Sequence, residues 1–326
     1  MKKIHATSSI YLRPAELTML MLVSFVSLTD IILVASWKLS VAYDEYIITV
    51  AASLLLMCIG LIYRGLNRSE TIAVVTICTS LMVAFTSAMA LLNYVFLPNH
   101  RIGLDQWLLQ FDAVFGYNWA DMVRWSVHKP ILNELMRYAY LSSLPQMVVL
   151  ILMLGLGAQI RRLHVMLMTL MLSASLAVVF WILFPTAGPS AYLMLDQETA
   201  SISHQVLDKA YGKKMLDLLV YGEEQIRPSQ MIGLIAFPSY HTVLALVGIW
   251  FSRSLKWMFP VFLIVNLLVF PATLAHGGHY LIDLAGGLIL FLICLWGAEL
   301  FQRRFDRQEK PEINLRPQRT SMSHPA

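Results

Sequence analysis

Charged residues are scarce in this sequence. Asp, Glu, Lys and Arg make up 13% of the 326 residues, whereas hydrophobic residues make up 58% and the mean hydropathy is +0.64. A soluble domain carries about 25% charged residues, so this composition excludes an ordinary soluble globule. The chain is predicted to be an all-α, polytopic membrane bundle. Its net charge of +4 gives no indication of nucleic-acid binding, and we expect no such partner.

Cysteine is also rare, and the usual metal motifs are missing. Cys58, Cys78 and Cys294 all lie inside apolar runs, which predicts small buried hydrophobes rather than a disulfide or metal framework. No His-Glu-x-x-His motif occurs. No charged path crosses the apolar runs apart from Arg137, which argues against a transporter or a channel.

Apolar runs of spanning length recur along the chain, and a span needs about 20 such residues. We predict about eight transmembrane helices, of which the sixth is the shortest. They lie at about 17–37, 46–63, 72–97, 131–155, 163–184, 240–252, 257–275 and 279–301.

The distribution of basic residues predicts the orientation in the membrane. The terminal tails and the even-numbered loops hold 15 Lys and Arg residues, whereas the longer odd-numbered loops hold eight. Because cytoplasmic loops carry the excess of basic residues, we expect both termini to be cytoplasmic. The odd-numbered loops would then face the periplasm, the exterior or a lumen, in a bacterial inner membrane or a eukaryotic endomembrane.

Two long hydrophilic stretches fall on that side. Residues 99–130 mix aromatic residues with charged ones, which predicts interfacial amphipathic helices lying on the membrane. The aromatic residues are Trp107, Phe111, Phe115, Trp119 and Trp125, and the charged ones are Asp105, Asp112, Asp121 and Arg124. Residues 185–237 begin with a Pro-rich turn at 185–189 and continue as a polar segment, predicted to form a cap over the site.

The stretch 276–283, with the sequence HGGHYLID, carries two imidazoles and a carboxylate beside an apolar run. Ionisable groups at such a position are costly, so they mark a functional site by default. His279 and Asp283 are four residues apart, which predicts that they share one helical face and that the carboxylate orients the imidazole.

A second histidine follows a helix-start signal upstream, in Phe237-Pro238-Ser239-Tyr240-His241. Ser239 is predicted to cap a helix that begins near Tyr240. A helix N-terminus presents N–H groups and the positive end of the helix dipole, which together make an anion site, with His241 in the first turn.

These two motifs resemble the second and third signature motifs of the type 2 phosphatidic acid phosphatase superfamily, and most of all its inositol-phosphorylceramide synthase-like branch. The resemblance implies a six-helix catalytic core over about residues 72–301, preceded by two additional spans. The expected organisation is a cytoplasmic N-terminal tail at 1–16, two extra helices at 17–71, the core at 72–301 with the interfacial segment 99–130 and the cap 185–237, and a cytoplasmic C-terminal tail at 302–326.

The resemblance also implies roles for individual residues. His279 would be the nucleophile that forms a phosphohistidine, Asp283 would orient it, and His241 would move the proton. No metal or other cofactor is expected. Phosphate oxygens would be bound by backbone and side-chain groups at Ser239, Tyr240, Thr242, Gly277 and Gly278.

The chain departs from the phosphatase pattern at two places. The usual Ser-Arg pair before the nucleophile is Ala272-Thr273 here, and Val220 stands where the first motif has a lysine. Candidate replacements for the missing cations are His276, Arg227, Lys213 and Lys214.

With fewer cations, the site suits a phosphodiester, which carries less charge than a monoester. The leading interpretation is transfer of a phosphate-linked headgroup from a phospholipid to a lipid alcohol such as ceramide or diacylglycerol. Hydrolysis of a phosphomonoester, of the phosphatidic acid or polyprenyl phosphate type, is the alternative. A haem or metal protein with His241, His276, His279 and Asp283 as ligands is a third interpretation.

Overall fold

The computed structural model describes residues 12–101, 103–207 and 209–308. The predicted tails therefore lie largely outside the described residues. Within the described ranges the chain is helical, apart from one isolated bridge between Val41 and Ile226. The helices are α1 (Pro14–Trp37), α2 (Tyr43–Gly65), α3 (Glu70–Val95), α4 (Asp105–Val114), α5 (Trp119–Val127), α6 (Pro130–Leu156), α7 (Ile160–Leu183), α8 (Gln197–Ile202), α9 (Lys209–Tyr221), α10 (Tyr240–Ser252), α11 (Phe259–His276) and α12 (Leu281–Gln308).

Seven of these helices are long and apolar enough to span a membrane: α1, α2, α3, α6, α7, α11 and α12. The prediction of a polytopic helical bundle is confirmed. The remaining predicted span, the sixth, is helix α10, which has only 13 residues. At 1.5 Å per residue it covers about 20 Å, less than the roughly 30 Å hydrocarbon layer.

Helix α10 lies inside the bundle, where it packs against α6, α7, α11 and α12. Its N-terminus is capped by Ser239, whose Oγ accepts from the Thr242 amide at 3.3 Å, as predicted. At its other end, the Arg162 guanidinium donates to the carbonyls of Trp250 and Phe251 at 3.1 and 3.3 Å. Since a helix end leaves carbonyls unpaired, these bonds allow a short helix to stop inside the protein.

Helices α1 and α2 pack on α3, and a buried ion cluster holds their far ends together. Arg64 donates to both oxygens of Glu16, at 2.6 and 2.9 Å, and also contacts Glu70 at 2.9 Å. His164 of α7 lies 3.5 Å from Glu16. Because a buried charge is tolerated only when it is paired, this cluster fixes α1, α2, α3 and α7 relative to one another.

Helices α4 and α5 occupy much of residues 99–130, and their position on the membrane surface stays a prediction. Helices α4 and α5 do expose Trp107, at 70%, but Trp119 is buried at 2%. Asp105 and Asp112 are also buried, at 5% and 3%. Helix α4 packs against α12, and the two carboxylates lie on its inward face, inside the protein.

Candidate active site

The two histidine motifs meet at one end of the bundle. The ring centroids of His241 and His279 are 6.3 Å apart and the ring planes lie at 69° to each other. His241 sits in the first turn of α10, whereas His279 lies in the loop between α11 and α12. A backbone bond joins the two segments, because the Ser239 amide donates to the Asp283 carbonyl at 3.1 Å.

His279 and Asp283 are in contact, but not for the predicted reason. Helix α12 begins at Leu281, so His279 precedes it and the two residues do not share a helical face. Instead, the loop folds back, and His279 Nδ1 lies 2.9 Å from Asp283 Oδ2. The same oxygen accepts from the Tyr280 amide at 2.9 Å.

This hydrogen bonding sets which nitrogen of His279 is free. Asp283 Oδ2 acts as an acceptor, so the facing Nδ1 carries the proton and Nε2 keeps its lone pair. His279 is only 3% exposed. Burial lowers the pKa of His279 to about 4, because the charged imidazole is poorly solvated there. A hydrogen bond to the Ala236 backbone raises the pKa, but by less than burial lowers it. A neutral ring with a free Nε2 is suited to nucleophilic attack.

Tyr140 of α6, which the sequence analysis did not single out, supports the second histidine. Its ring stacks on His241 with a centroid separation of 4.0 Å and an interplanar angle of 18°. A Cβ at Gly277 would come within 2.7 Å of the Tyr140 ring and 3.0 Å of the His279 ring. A side chain at position 277 would therefore disturb both rings, which accounts for glycine at this point. Tyr140 lies in an apolar span, so no sequence pattern marks it.

Asp105 holds the loop at 277–280, which carries His279, to the turn at 185–189. Its carboxylate accepts from the Tyr280 hydroxyl at 2.8 Å and from the amides of Ala187 and Gly188 at 3.0–3.1 Å. Gly188 has φ +84, and a Cβ there would come within 2.6 Å of the Gly278 carbonyl. The turn therefore packs directly on the loop that carries His279, and only glycine allows this approach.

Asp112 plays a similar role one position further along the loop, because it accepts from the Leu281 amide at 3.1 Å. Asp105 and Asp112 are seven residues apart, so they point the same way on α4. That spacing was the signal available in the sequence. The mixture of aromatic and charged residues in this segment concealed it.

We predict that Asp105→Asn destabilises the protein. Every group that faces this carboxylate is a donor, so an amide nitrogen would lose an acceptor and oppose other N–H groups. The expected loss is about 2 kcal/mol or more, measured from unfolding in detergent. Asp121→Asn is the matched control, since that carboxylate is 69% exposed on α5. Equal melting of the two variants would contradict the role assigned to Asp105.

The other predicted phosphate ligands divide into two groups. Thr242 is buried near His241 and its hydroxyl has no partner within the described residues, and Gly278 adopts φ +56 next to His279. In the second group, the Ser239 hydroxyl is already engaged as the cap of α10. The Tyr240 hydroxyl donates to the Leu170 carbonyl of α7 at 3.0 Å, so only the backbone of Tyr240 is left to bind phosphate. The Gly277 amide donates to Thr273.

None of the four candidate cations contacts His241 or His279 within the described residues. Arg227 pairs with Glu45 of α2 at 3.2 Å, and Lys214 contacts the Gln230 carbonyl at 3.1 Å. Lys213 is exposed on α9. His276 is buried, and its Nε2 faces the Asn133 carbonyl at 3.1 Å, which ties the end of α11 to α6.

The four residues of the metal interpretation do not form one ligand set, because two of them point their ring nitrogens elsewhere. His276 Nε2 faces a backbone carbonyl, and His279 Nδ1 faces Asp283. Among the described residues, the ligand atoms that do converge are those of Glu16, Cys78 and His164, at the far end of the bundle. Arg64 already neutralises Glu16 there.

The segment 185–237, predicted to be a cap, contacts this end of the bundle. The Leu207 amide donates to the His276 carbonyl at 3.0 Å, and Gln205 donates to the Ala275 carbonyl at 2.9 Å. Ser190 is buried beside Gly278, with a hydroxyl that has no partner among the described residues. The sequence analysis did not identify Ser190, because the turn at 185–189 was interpreted as structural only.

Comparison with protein-family models gives one match, described as PAP2 superfamily, over residues 106–297. This is more than half of the chain and includes both histidine motifs. Searches of the curated proteins and of the solved structures gave no match.

Proposed function

The chain belongs to the PAP2 superfamily, and on this premise we propose that it is a membrane enzyme that transfers a phosphate-linked headgroup from a phospholipid to a lipid alcohol, such as ceramide or diacylglycerol. Membership of the superfamily supports phosphatase or phosphotransferase activity in general. The observation that supports chemistry at phosphorus is the meeting of His279, Asp283 and His241, with the two histidine ring centroids 6.3 Å apart.

The proposed reaction has two displacements at one phosphorus. His279 Nε2 attacks, the bond from phosphorus to the departing lipid oxygen breaks, and His241 gives that oxygen a proton. In the second step His241 takes the proton of the acceptor hydroxyl, the new oxygen–phosphorus bond forms, and the phosphorus–nitrogen bond breaks. The ring centroids of His241 and His279 are 6.3 Å apart. This separation supports the arrangement, because a phosphate between the two rings is near each of them, and reacting atoms must approach within about 3–3.5 Å.

The electrostatics of the site favour a phosphodiester donor. Asp105 and Asp112 are buried close enough to Asp283 to act on it electrostatically, and the described residues place no Lys or Arg in contact with the two catalytic histidines. A monoester with about two negative charges is repelled by such surroundings more than a diester with one. This supports the inositol-phosphorylceramide synthase-like branch within the superfamily.

We further propose that the site faces the periplasm, the exterior or a lumen, with both termini in the cytoplasm. The bias of Lys and Arg toward the tails and the even-numbered loops supports this orientation. Both substrates would reach the histidines from the leaflet on that side.

The transfer activity is tested with purified protein in lipid nanodiscs. We expect labelled phosphodiester lipids to react at least tenfold faster than the corresponding monoesters. With ceramide or diacylglycerol present, the label should appear in a new phosphodiester lipid. Release of inorganic phosphate from the monoester as the faster reaction would contradict the proposal and identify a phosphatase.

Ser190 is expected to bind a phosphate oxygen in place of a missing cation. Its hydroxyl is buried, unpartnered within the described residues and adjacent to Gly278. Removing one such donor from a desolvated site costs about 10²-fold in rate, so Ser190→Ala should lower kcat/KM by about this factor. Ser252→Ala is the control, since Ser252 is also buried but lies at the C-terminal end of α10, whereas His241 lies at its N-terminal end. Unchanged kcat/KM in Ser190→Ala would contradict the assignment.

A further inference from the structure

A cavity of about 790 Å³ lies between helices α1, α2 and α3. Its walls are mostly apolar, and all of its lining residues fall between 20 and 91, outside the segment that matches the family model. Small-molecule sites have volumes of about 300–1,000 Å³ and combine apolar walls with a few polar groups. The cavity therefore has the size and character of a ligand site that is separate from the catalytic histidines.

Asp30 of α1 lines this cavity and is 3% exposed. Neither of its carboxylate oxygens has a hydrogen-bond partner within the described residues. Tyr46, on α2, also lines the cavity, and its buried hydroxyl has no partner within the described residues. Tyr46 lies close enough to Asp30 to interact electrostatically with it. Leaving such groups unpaired inside a membrane protein is costly, so their presence calls for a binding partner.

Other polar groups around the cavity do not supply that partner. Ser53 and Ser80 hydrogen-bond to each other across α2 and α3. Lys38 also lines the cavity, but it follows the last residue of α1, about 12 Å along the helix axis from Asp30, and it is exposed. No ion pair joins Lys38 to Asp30 among the described residues.

We propose that this cavity binds a single-chain amphiphile with a primary ammonium group, which pairs with Asp30. An ammonium has three N–H donors, and the site offers three acceptors: the two oxygens of Asp30 and the hydroxyl of Tyr46. The positive charge cancels the buried carboxylate, whereas a neutral alcohol satisfies one oxygen and leaves the charge in place. The alkyl chain lies along the apolar walls, including Val23, Leu81 and Leu91.

The position of the cavity connects it with the cap. Val41, in the turn between α1 and α2, lines the cavity and bridges to Ile226 of the cap, and Glu45 pairs with Arg227 beside it. A ligand held at Asp30 therefore lies under the anchor point of the segment that covers the catalytic end. The proposal for the cavity does not depend on the reaction proposed above.

Binding is measured on the full chain in phosphatidylcholine nanodiscs, with a radiolabelled long-chain primary alkylamine and the alkanol of the same chain length. We expect the wild type to bind the amine at least tenfold more tightly than the alkanol. Asp30→Asn should remove this preference, and Tyr46→Phe should reduce it several-fold. Asp44→Asn is the matched control, because Asp44 is an exposed carboxylate on α2 that does not line the cavity.

Thermal unfolding provides a second readout that does not depend on the label. The amine should raise the Tm of the wild type and leave that of Asp30→Asn unchanged. Without ligand, Asp30→Asn should melt at or above the wild type, because it removes an unpaired buried charge. Equal binding of amine and alkanol, occupation by bilayer lipid without preference for the amine, or a large loss of Tm in empty Asp30→Asn would each overturn the proposal.

Discussion

His279→Ala is expected to lose activity by at least about 10³-fold, because the proposed phosphohistidine cannot form without Nε2. In the wild type, brief reaction with a phosphorus-labelled donor followed by alkaline quench should leave label on the protein, since a phosphoramidate bond is labile in acid and survives base. In His279→Ala that label should be missing. Both rate and label are measured at equal protein concentration after gel filtration.

Two variants control for damage to the loop. His276→Ala alters the neighbouring buried histidine, which faces Asn133 rather than the space between the catalytic rings, so it should affect stability more than labelling. Asp283→Asn should retain the loop backbone but slow labelling. The amide oxygen of Asn is a weaker acceptor than the carboxylate, so it holds the Nδ1 proton of His279 less well. Normal turnover by His279→Ala would refute the nucleophile assignment and, with it, the two-step mechanism.

His241→Ala is expected to lower turnover of natural lipid donors by about 10²–10⁴-fold, the usual contribution of general acid–base catalysis. The loss should depend on the leaving group. Nitrophenolate, the leaving group of a nitrophenyl phosphodiester, departs without help from an acid. The first step with this donor should therefore be much less affected. Because the second step still needs a base, the labelled phosphoprotein should accumulate in His241→Ala with this donor.

Tyr140→Phe is the matched control for that experiment, since it keeps the ring that stacks on His241 and removes only the hydroxyl. It should retain most of the activity with both donors. An equal loss of rate for nitrophenyl and natural donors in His241→Ala, with no labelled intermediate, would show that His241 does not move the proton.

The central contact of the site could be predicted from the sequence, although the local structure around it could not. The spacing of His279 and Asp283 predicted a contact by helical geometry, and the structure makes the same contact through a loop that ends in the first turn of α12. Four residues permit both solutions. The choice depends on Gly278 at φ +56 and on the packing of Gly188 against it, which are tertiary features.

The supporting residues were harder to find, because nothing local distinguishes them. The segment around Asp105 is explained equally well as a membrane-surface helix. The segment around Tyr140 is explained equally well as an apolar span. Their roles depend on partners about 175 and 101 positions away along the chain, at Tyr280 and His241 respectively. Arg227 shows the converse: its charge made it a candidate for binding phosphate, and the structure pairs it with Glu45.

The amide of Ser239 and the carbonyl of Asp283 join the two motifs through main-chain atoms alone. The distance between the two motifs is thus held in part by a bond that does not involve any side chain. Replacing the walls formed by the cap, for example to accept a bulkier headgroup, leaves this bond intact. A laboratory effort to alter substrate choice should therefore begin with side chains of the cap other than Gln205, since that side chain bonds to the segment before His279.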